Sequence, residues 1–520
     1  MSLNHILKIS QRNYVCLRCR DNLSRQFFLR FFHVLPRLRR ENLNSFIAPK
    51  APKAPKALIN IKHIRDNATL HEQNCLDRNY RIQATYPSKI NSLTERWQSY
   101  QKSSRSLREK SNWLTRQLAS KNLPLDVNSN PSENEEFSRQ KYLTEARHLK
   151  EELTSIDKEQ SALSAEIFQL ALAMPNLTSC KTPRGSIPKE LGIINEQIGL
   201  NSTCSNQHCR SHVDIGQELN IIDFAGANTT SGWGWYYLLN EAALLEQALV
   251  QFSISIARKR SWSVVSPPSI VYSHISDSCG FQPRDQNGEQ QIYQIQQHPV
   301  DIGRKPQLSL AGTAEIPMAS MKANQILDAS KLPMKYIGVS RCYRAEAGAR
   351  GANSKGLYRV HEFTKVEMFA WTLPDNAASN NIFDEMHSIQ QEILGKLQLH
   401  CRILEMPSTD LGASAMRKID IETFFPSRQA REGGWGEVTS LSICTDYQSR
   451  RLATRLRLQQ SGQTEQFQFP YTLNGTALAV PRVLAAILEN GWDEKRGVVL
   501  IPEVLWPWMN GIREIGPKNP

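Results

Sequence analysis

The chain has 520 residues, too many for one ordinary hydrophobic core, so two or three structural units are expected. Its mean hydropathy of −0.46 and its lack of an apolar run of about 18 residues exclude a transmembrane protein. The net charge of +13 indicates a nucleic-acid-binding body only if the charge lies in that body.

Most of this charge lies in residues 1–56, where twelve Lys and Arg face only Asp21 and Glu41. The arginines alternate with apolar runs, and the segment leads into the extended sequence APKAPKAPKA. An Arg-rich, acid-poor and amphipathic N-terminus predicts a mitochondrial transit peptide with a linker, and therefore a protein of the mitochondrial matrix. The alternative is a disordered basic arm that touches RNA directly.

Two stretches with heptad spacing follow, at 88–118 and 139–170. The second carries an apolar seam at steps of three and four: Tyr142, Ala146, Leu149, Leu153, Ile156, Leu163, Ile167 and Leu170. The segment between them is rich in Pro, Asn and Ser, so no helix is expected at 121–138. An antiparallel helical hairpin within 57–175 is predicted, each arm roughly 45 Å long. A coiled coil used only for dimerisation or packing fits the periodicity equally well.

Residues 176–235 are predicted to form a connector, because the prolines near its start prevent a continuous helix. From 236 to 520, segments of strand length alternate with helical ones, which predicts an α+β domain with an antiparallel sheet. Neither a G-x-G-x-x-G nor a Walker A motif occurs, so a bound nucleotide would be held in another way.

Two cysteine pairs could bind zinc, but both patterns are weak. Cys16 and Cys19 lie in the N-terminal segment without a second pair, and Cys204 and Cys209 have only neighbouring histidines, His208 and His212. We therefore expect no structural zinc site.

The segment 340–371 carries the strongest chemical signal. If it forms a strand hairpin, Arg344 and Glu346 share one face, and Arg359, Phe363 and Glu367 share one face of the returning strand. Arginine forks suit a triphosphate, an aromatic ring can stack on a base, and a carboxylate can accept from an exocyclic amine.

These residues resemble motif 2 of class II aminoacyl-tRNA synthetases, in the version found in seryl-tRNA synthetases. "NGTALAVPRVLAAILEN" at 474–490 is similar to motif 3, and "VVSPPSIV" at 264–271 to motif 1. "TAE" at 313–315 and "GEVTSLSICTDYQSRRL" from Gly436 resemble serine-specific segments. The resemblance implies an antiparallel sheet flanked by helices, a coiled-coil arm that grips tRNA(Ser), and a homodimer.

The resemblance also implies site residues. Arg344 and Arg482 would be catalytic, with ATP and Mg²⁺ required. Serine would contact Thr313, Ala314, Glu315, Arg344, Glu367 and Thr476. ATP would contact Arg344, Ala345, Glu346, Arg359, Phe363, Glu437, Val438, Thr439, Ser440 and Arg482. Glu437 and Ser440 would hold Mg²⁺.

The implied activity is serine activation by ATP followed by transfer to tRNA. Two alternatives remain open at this point: a synthetase-like paralogue that binds RNA or a partner without charging tRNA, and a synthetase for another amino acid. The presence of Arg344, Arg482 and Glu437 argues against the first, and the serine-pocket residues argue against the second.

Overall fold

The structure is a computed structural model that describes residues 54–119, 131–201, 209–282, 290–346, 356–430, 432–458 and 466–517. The predicted transit peptide lies outside these residues, apart from 54–56. Among the described helices, none combines the length and the apolar character that crossing a bilayer requires.

The N-terminal arm begins with two short helices, α1 (Ile61–Asp66) and α2 (Ala68–Asp77). The long helices α3 (Tyr86–Ala119) and α4 (Pro131–Leu172) then pack against each other, as the heptad pattern predicts. The buried seam includes Ile90, Leu93, Leu114, Leu149 and Leu163. The expectation that no helix enters 121–138 is wrong in part: α4 starts at Pro131, because proline is well tolerated in the first turn of a helix.

The rest of the chain forms the C-terminal body, which has many short elements. Its helices are α5 (Glu196–Asn201), α6 (His212–Glu218), α7 (Phe224–Ser231), α8 (Asn240–Arg258), α9 (Ser273–Ser278), α10 (Glu315–Ser320), α11 (Asn376–Lys396), α12 (Tyr447–Arg451) and α13 (Val480–Asn490).

Eight strands make the main sheet: β1 (Lys189–Ile194), β4 (Ser263–Val265), β8 (Met334–Tyr343), β9 (Glu362–Thr372), β10 (Cys401–Glu405), β11 (Arg417–Phe424), β12 (Trp435–Thr445) and β15 (Tyr471–Ala479). Smaller sheets contain β2 (Ile222–Asp223), β3 (Tyr237–Leu238), β5 (Ile270–Tyr272), β6 (Leu308–Leu310), β7 (Ile326–Asp328), β13 (Arg455–Leu458), β14 (Gln466–Gln468), β16 (Trp492–Asp493), β17 (Val498–Leu500) and β18 (Glu514–Ile515).

The strand order of the main sheet is β1-β10-β11-β12-β15-β9-β8-β4. Every neighbouring pair is antiparallel except β4 and β8, so the predicted antiparallel α+β architecture is confirmed. Strand β1 comes from the stretch 176–235, which we expected to be a connector. This stretch therefore contributes an edge strand to the main sheet, while the proposed domain limits stay a prediction.

Helices α8, α11 and α13 cover one face of this sheet and bury the main core. Alternate residues of the central strands point into that core, including Val366, Met368, Leu441 and Leu473. The side chains between them face the other way, where the candidate site lies.

Arg78 fixes the base of the arm to the C-terminal body. Its guanidinium is 1% exposed and donates to the carbonyl oxygens of Asn176, at 2.6 Å, Ala415, at 3.0 Å, and Gly412. A buried charge of this kind is tolerated because several carbonyl oxygens replace the water molecules that would otherwise solvate the guanidinium.

Candidate active site

One cleft collects most of the predicted nucleotide-binding residues. It lies among the ends of β8 and β9, the segment 356–360, β12, β15 and the first turn of α13. Its lining residues are Arg344, Glu346, Leu357, Tyr358, Arg359, Val360, Phe363, Lys365, Glu437, Val438, Ser440, Thr476, Ala479, Pro481 and Arg482. Residues more than a hundred positions apart in the sequence therefore surround a common space.

The strand hairpin predicted for motif 2 is shorter than expected. Strand β8 ends at Tyr343, so Arg344 and Glu346 lie just beyond it, and Glu346 has a left-handed φ of 47°. Strand β9 starts at Glu362, so Arg359 precedes the strand. The prediction that these side chains share strand faces is wrong in this respect. They still reach the cleft, where Arg359 Nε lies 3.6 Å from Glu346 Oε2.

Arg344 is held at the cleft by its backbone and its side chain. Its amide donates to His361 O at 2.9 Å, and its Nε donates to Gly312 O at 3.5 Å. The guanidinium carbon lies 5.3 Å from the ring centre of Phe363. Phe363 itself is 8% exposed, so Arg344 and the surrounding core cover most of its ring.

Arg482 joins α13 to the opposite wall of the cleft. Its Nε donates to Tyr358 O at 3.1 Å, and its Nη1 donates to Glu437 O at 2.9 Å and lies 3.5 Å from the Glu437 carboxylate. The guanidinium is thus oriented before any ligand binds, which lowers the entropic cost of binding an anion.

A β-bulge brings Glu437 and Ser440 to the same face of β12. Residues three apart point to opposite faces of a regular strand. The pairing of β11 with β12 shifts by one residue between Ile421 and Glu422, and Val438 is the extra residue on β12. Glu437 and Ser440 therefore both line the cleft.

The chemistry of this pair fits a magnesium ion. Desolvation in the cleft acts to raise the pKa of Glu437, but the charges of Arg482, Lys418 and Arg344 outweigh it and hold the pKa below its ordinary value. A carboxylate that is ionised at neutral pH, next to a hydroxyl, provides the oxygen ligands that Mg²⁺ prefers.

A second, smaller group of side chains adjoins the cleft, and we call it the niche: Thr313, Glu315, Lys365, Glu367 and Thr476. Lys365 Nζ lies 2.6 Å from Glu367 Oε2 and 2.9 Å from Thr313 Oγ1. Thr476 Oγ1 donates to Glu367 Oε2 at 3.2 Å, because the two residues are direct partners across β15 and β9. The other oxygen, Glu367 Oε1, is buried and has no hydrogen-bond partner.

Glu315 lies at the inner end of the niche and is 4% exposed. Gln448 Nε2 donates to its Oε1 at 2.6 Å, and Asn474 Nδ2 donates to its Oε2 at 3.0 Å. Burial raises the pKa of Glu315 to about 8, and the charge of Glu367 acts in the same direction, while Lys365 opposes the shift.

A buried histidine connects the two walls of the cleft. His212 Nε2 accepts from Leu357 N at 2.9 Å, so its Nδ1 carries the proton and donates to Glu489 Oε1 at 2.7 Å. Gly356 has a φ of 74°, and a Cβ there would lie 2.2 Å from His212 Nε2. Both ring nitrogens are therefore engaged, which argues against a zinc role for His212; Cys204 and His208 lie outside the described residues.

Two predicted ATP contacts are not brought to the cleft by their side chains. Thr439 is 1% exposed and, next to the bulge, points into the protein interior. Ala345 does not line the cleft, and its amide donates to Gln291 O at 3.1 Å. These residues could meet a nucleotide only through their main chain. Ala314 is fully buried beside the niche.

Sequence reasoning missed Lys365, which belongs to both the cleft and the niche. Its position two residues before Glu367 on one strand places both side chains on the same face. That spacing was the signal that could have identified it.

Comparisons with known proteins agree with this geometry. Residues 299–491 match the family described as tRNA synthetase class II core domain (G, H, P, S and T). The antiparallel sheet and the arginine-lined cleft are thus those of a class II aminoacyl-tRNA synthetase. Residues 58–178 match the seryl-tRNA synthetase N-terminal domain. The chain belongs to the seryl-tRNA synthetase family.

Individual relatives support the same assignment. The mitochondrial serine–tRNA ligase of Saccharomyces cerevisiae is 41% identical over 72% of this chain and 79% of its own length. That of Schizosaccharomyces pombe is 38% identical over 87% of this chain and 88% of its own length. The structure of Pyrococcus horikoshii seryl-tRNA synthetase complexed with ATP covers 89% of this chain and 100% of its own, with a TM-score of 0.75 and 29% identity.

Proposed function

We propose that this chain is a serine–tRNA ligase, which activates L-serine with ATP and transfers the seryl group to the 3′ end of tRNA(Ser). The observation that carries the proposal is the continuity of an arginine-lined cleft with a niche that has an unpaired carboxylate oxygen, Glu367 Oε1. The cleft suits a triphosphate. The niche suits a small amino acid whose side chain donates a hydrogen bond.

In the first step, the serine carboxylate attacks the α-phosphorus, and the bond to the departing diphosphate breaks as seryl-adenylate forms. No bond to the enzyme is needed, because the main task is to bring two anions together and neutralise their charge. Arg344 would hold the α-phosphate and the serine carboxylate, and Arg482 the γ-phosphate, with Arg359 nearby. Glu437 and Ser440 would hold Mg²⁺, which would supply further positive charge to neutralise the triphosphate.

The adenine would lie against Phe363, with its amino group donating to Glu346. Both contacts require small changes from the ligand-free geometry. Glu346 would leave its ion pair with Arg359, which would turn to the phosphates, and Arg344 would move off the Phe363 ring. This ion pair, with its two charged groups 3.6 Å apart and Arg359 exposed, opposes the change weakly, since such pairs contribute little stability.

In the second step, a ribose 3′-hydroxyl of the tRNA attacks the carbonyl carbon of seryl-adenylate, and AMP leaves. The phosphate of the adenylate can accept the hydroxyl proton. The arm formed by α3 and α4 would hold the tRNA, since α3, with 34 residues, is about 50 Å long.

The proposed domain limits are 1–56 for the transit peptide and linker, 57–175 for the arm, 176–235 for the connector and 236–520 for the catalytic domain. The protein would act in the mitochondrion, in the matrix. The composition of residues 1–56 supports this location, as do the mitochondrial relatives of the two yeasts.

Diphosphate exchange into ATP, measured with each of the twenty amino acids, tests the proposal. Exchange with serine alone is expected. Exchange with none would favour the non-charging paralogue, and preference for another amino acid would favour the second alternative. Charging of mitochondrial and cytosolic tRNA pools with labelled serine then defines which tRNAs are substrates.

Serine binding is expected to strengthen as the pH rises from about 6.5 toward 8, the pKa of Glu315. A raised carboxyl pKa means that Glu315 is mostly neutral below this range, whereas the serine ammonium favours the ionised form. The KM for serine, measured by exchange across this range, should therefore fall. The Glu315→Gln variant should lose this dependence; a KM that rises with pH in the wild type would contradict the assignment.

The protein is expected to be a homodimer in solution. The motif 1 strands β4 and β5 carry Val264 and Ile270, each 50% exposed, which provide apolar surface for a second copy. Light scattering should give twice the mass of one chain at micromolar concentration. A mass of one chain under those conditions would exclude a stable dimer.

A further inference from the structure

Lys365 occupies a position between the cleft and the niche that none of the predicted serine or ATP contacts explains. It is 6% exposed, and its ammonium group has three oxygen neighbours. These are Glu367 Oε2 at 2.6 Å, Thr313 Oγ1 at 2.9 Å and Thr476 Oγ1 at 3.5 Å. A lysine has three N–H donors, and this set uses all of them within the niche.

These contacts give the two carboxylate oxygens of Glu367 different roles. Oε2 accepts from both Lys365 and Thr476, whereas Oε1 is buried without a partner. A buried acceptor without a donor is unfavourable, and a substrate hydroxyl would supply that donor. A methyl side chain would leave Oε1 unpaired, so alanine would be rejected.

This arrangement depends on the charge of Lys365. Glu367 is 1% exposed, and a second carboxylate, that of Glu315, belongs to the same niche. Removing one partner of a buried ion pair leaves the other charge uncompensated. Without the ammonium group of Lys365, the Glu367 side chain would lose the ion pair that stabilises its orientation. Arg344 is the other cation near the niche, but in the proposed reaction it binds the α-phosphate and the serine carboxylate and does not pair with Glu367.

We propose that Lys365 is the positioning residue of the serine pocket: it fixes Glu367 so that only Oε1 faces the substrate, and thereby sets the preference for serine over alanine. The inference rests on the proposed function, since it needs serine as substrate. Lys365 would act through Glu367 rather than on the reacting atoms.

The test is the ratio of kcat/KM for serine to that for alanine in diphosphate exchange, in wild type and in Lys365→Met. The ratio is expected to fall by about 10²-fold, through loss with serine and little change with alanine. Lys335→Met is the matched control. Lys335 is also a lysine on the main sheet with a carboxylate partner, Glu385 at 2.9 Å, but it lies outside both the cleft and the niche, so the ratio should stay at the wild-type value.

A double-mutant cycle with Glu367→Gln separates positioning from structural damage. If Lys365 acts through Glu367, Lys365→Met should change the ratio by less than about threefold in the Glu367→Gln background. Effects that multiply would overturn the proposal, as would an unchanged ratio in the single variant. If Lys365→Met melts far below the wild type, Lys365→Gln replaces it as the test variant. The affinities for the sulfamoyl analogues of seryl- and alanyl-adenylate are then compared, and the ratio of the seryl to the alanyl affinity is expected to fall in the same way.

Failure of this inference is distinct from failure of the proposed function. Absence of serine-dependent exchange in the wild-type protein would contradict the proposed function itself. Serine-dependent exchange with an undiminished serine preference in a folded Lys365 variant would remove only the role of Lys365.

Discussion

Replacing Arg344 by alanine is expected to lower kcat/KM for serine-dependent diphosphate exchange by about 10³-fold or more. Arg344 is the residue proposed to contact both reacting anions, and its main chain is held at the cleft by the hydrogen bond from its amide to His361 O. Loss of its charge leaves the developing negative charge at the α-phosphate without its nearest cation. The effect should appear mainly in kcat, because the transition state carries the most concentrated charge.

Arg496→Ala is the control for this variant. Arg496 pairs with Glu514 on the small β16-β17-β18 sheet and does not line the cleft. Exchange by Arg496→Ala should match the wild type. Retention of near wild-type exchange by folded Arg344→Ala would remove the catalytic role assigned to Arg344.

The second large effect is expected for Glu367→Ala, which should abolish measurable serine-dependent exchange. The substitution removes the acceptor for the serine hydroxyl and also leaves Lys365 as a buried cation without its carboxylate partner. Sites that bond a substrate hydroxyl reject analogues lacking it by factors of about 10⁴, so the loss of the acceptor is expected to be of similar size.

Glu385→Gln provides the comparison, since Glu385 is also paired with a lysine of the main sheet, Lys335, but lies on α11. It should keep the serine preference even if its stability falls. A folded Glu367→Ala protein that still selects serine over alanine would refute the proposed role of Glu367.

The sequence predicted the helical arm and the antiparallel class of the sheet, and it named most of the residues that line the cleft. These features depend on local patterns: heptads for α3 and α4, and residue order for the three motifs. The start of α4 was predicted too late in the chain, because a proline that is excluded from the interior of a helix is tolerated in its first turn. The connector also contained β1, whose pairing with β10 joins segments about two hundred residues apart.

The details of the site were less accessible to the sequence. Strand periodicity placed Arg344 and Arg359 on strands, whereas both lie just outside the strands. Periodicity also could not show that Thr439 points inward, since the bulge at Val438 is visible only in the pairing of β11 with β12. Lys365 was overlooked because a lysine in a strand is usually at the surface.

Strand β15 repeats the irregularity of β12: its pairing with β9 shifts by one between Thr476 and Leu478, with Ala477 as the extra residue, and Thr476 and Ala479 both line the cleft. The number of residues along two adjacent strands therefore decides which side chains face the cleft. Loss of one amino acid from the regularly paired part of either strand, away from these extra residues, would exchange inside for outside along the remaining strand. Changes of length in these strands would be far less tolerated than changes of side chain, however similar the resulting composition.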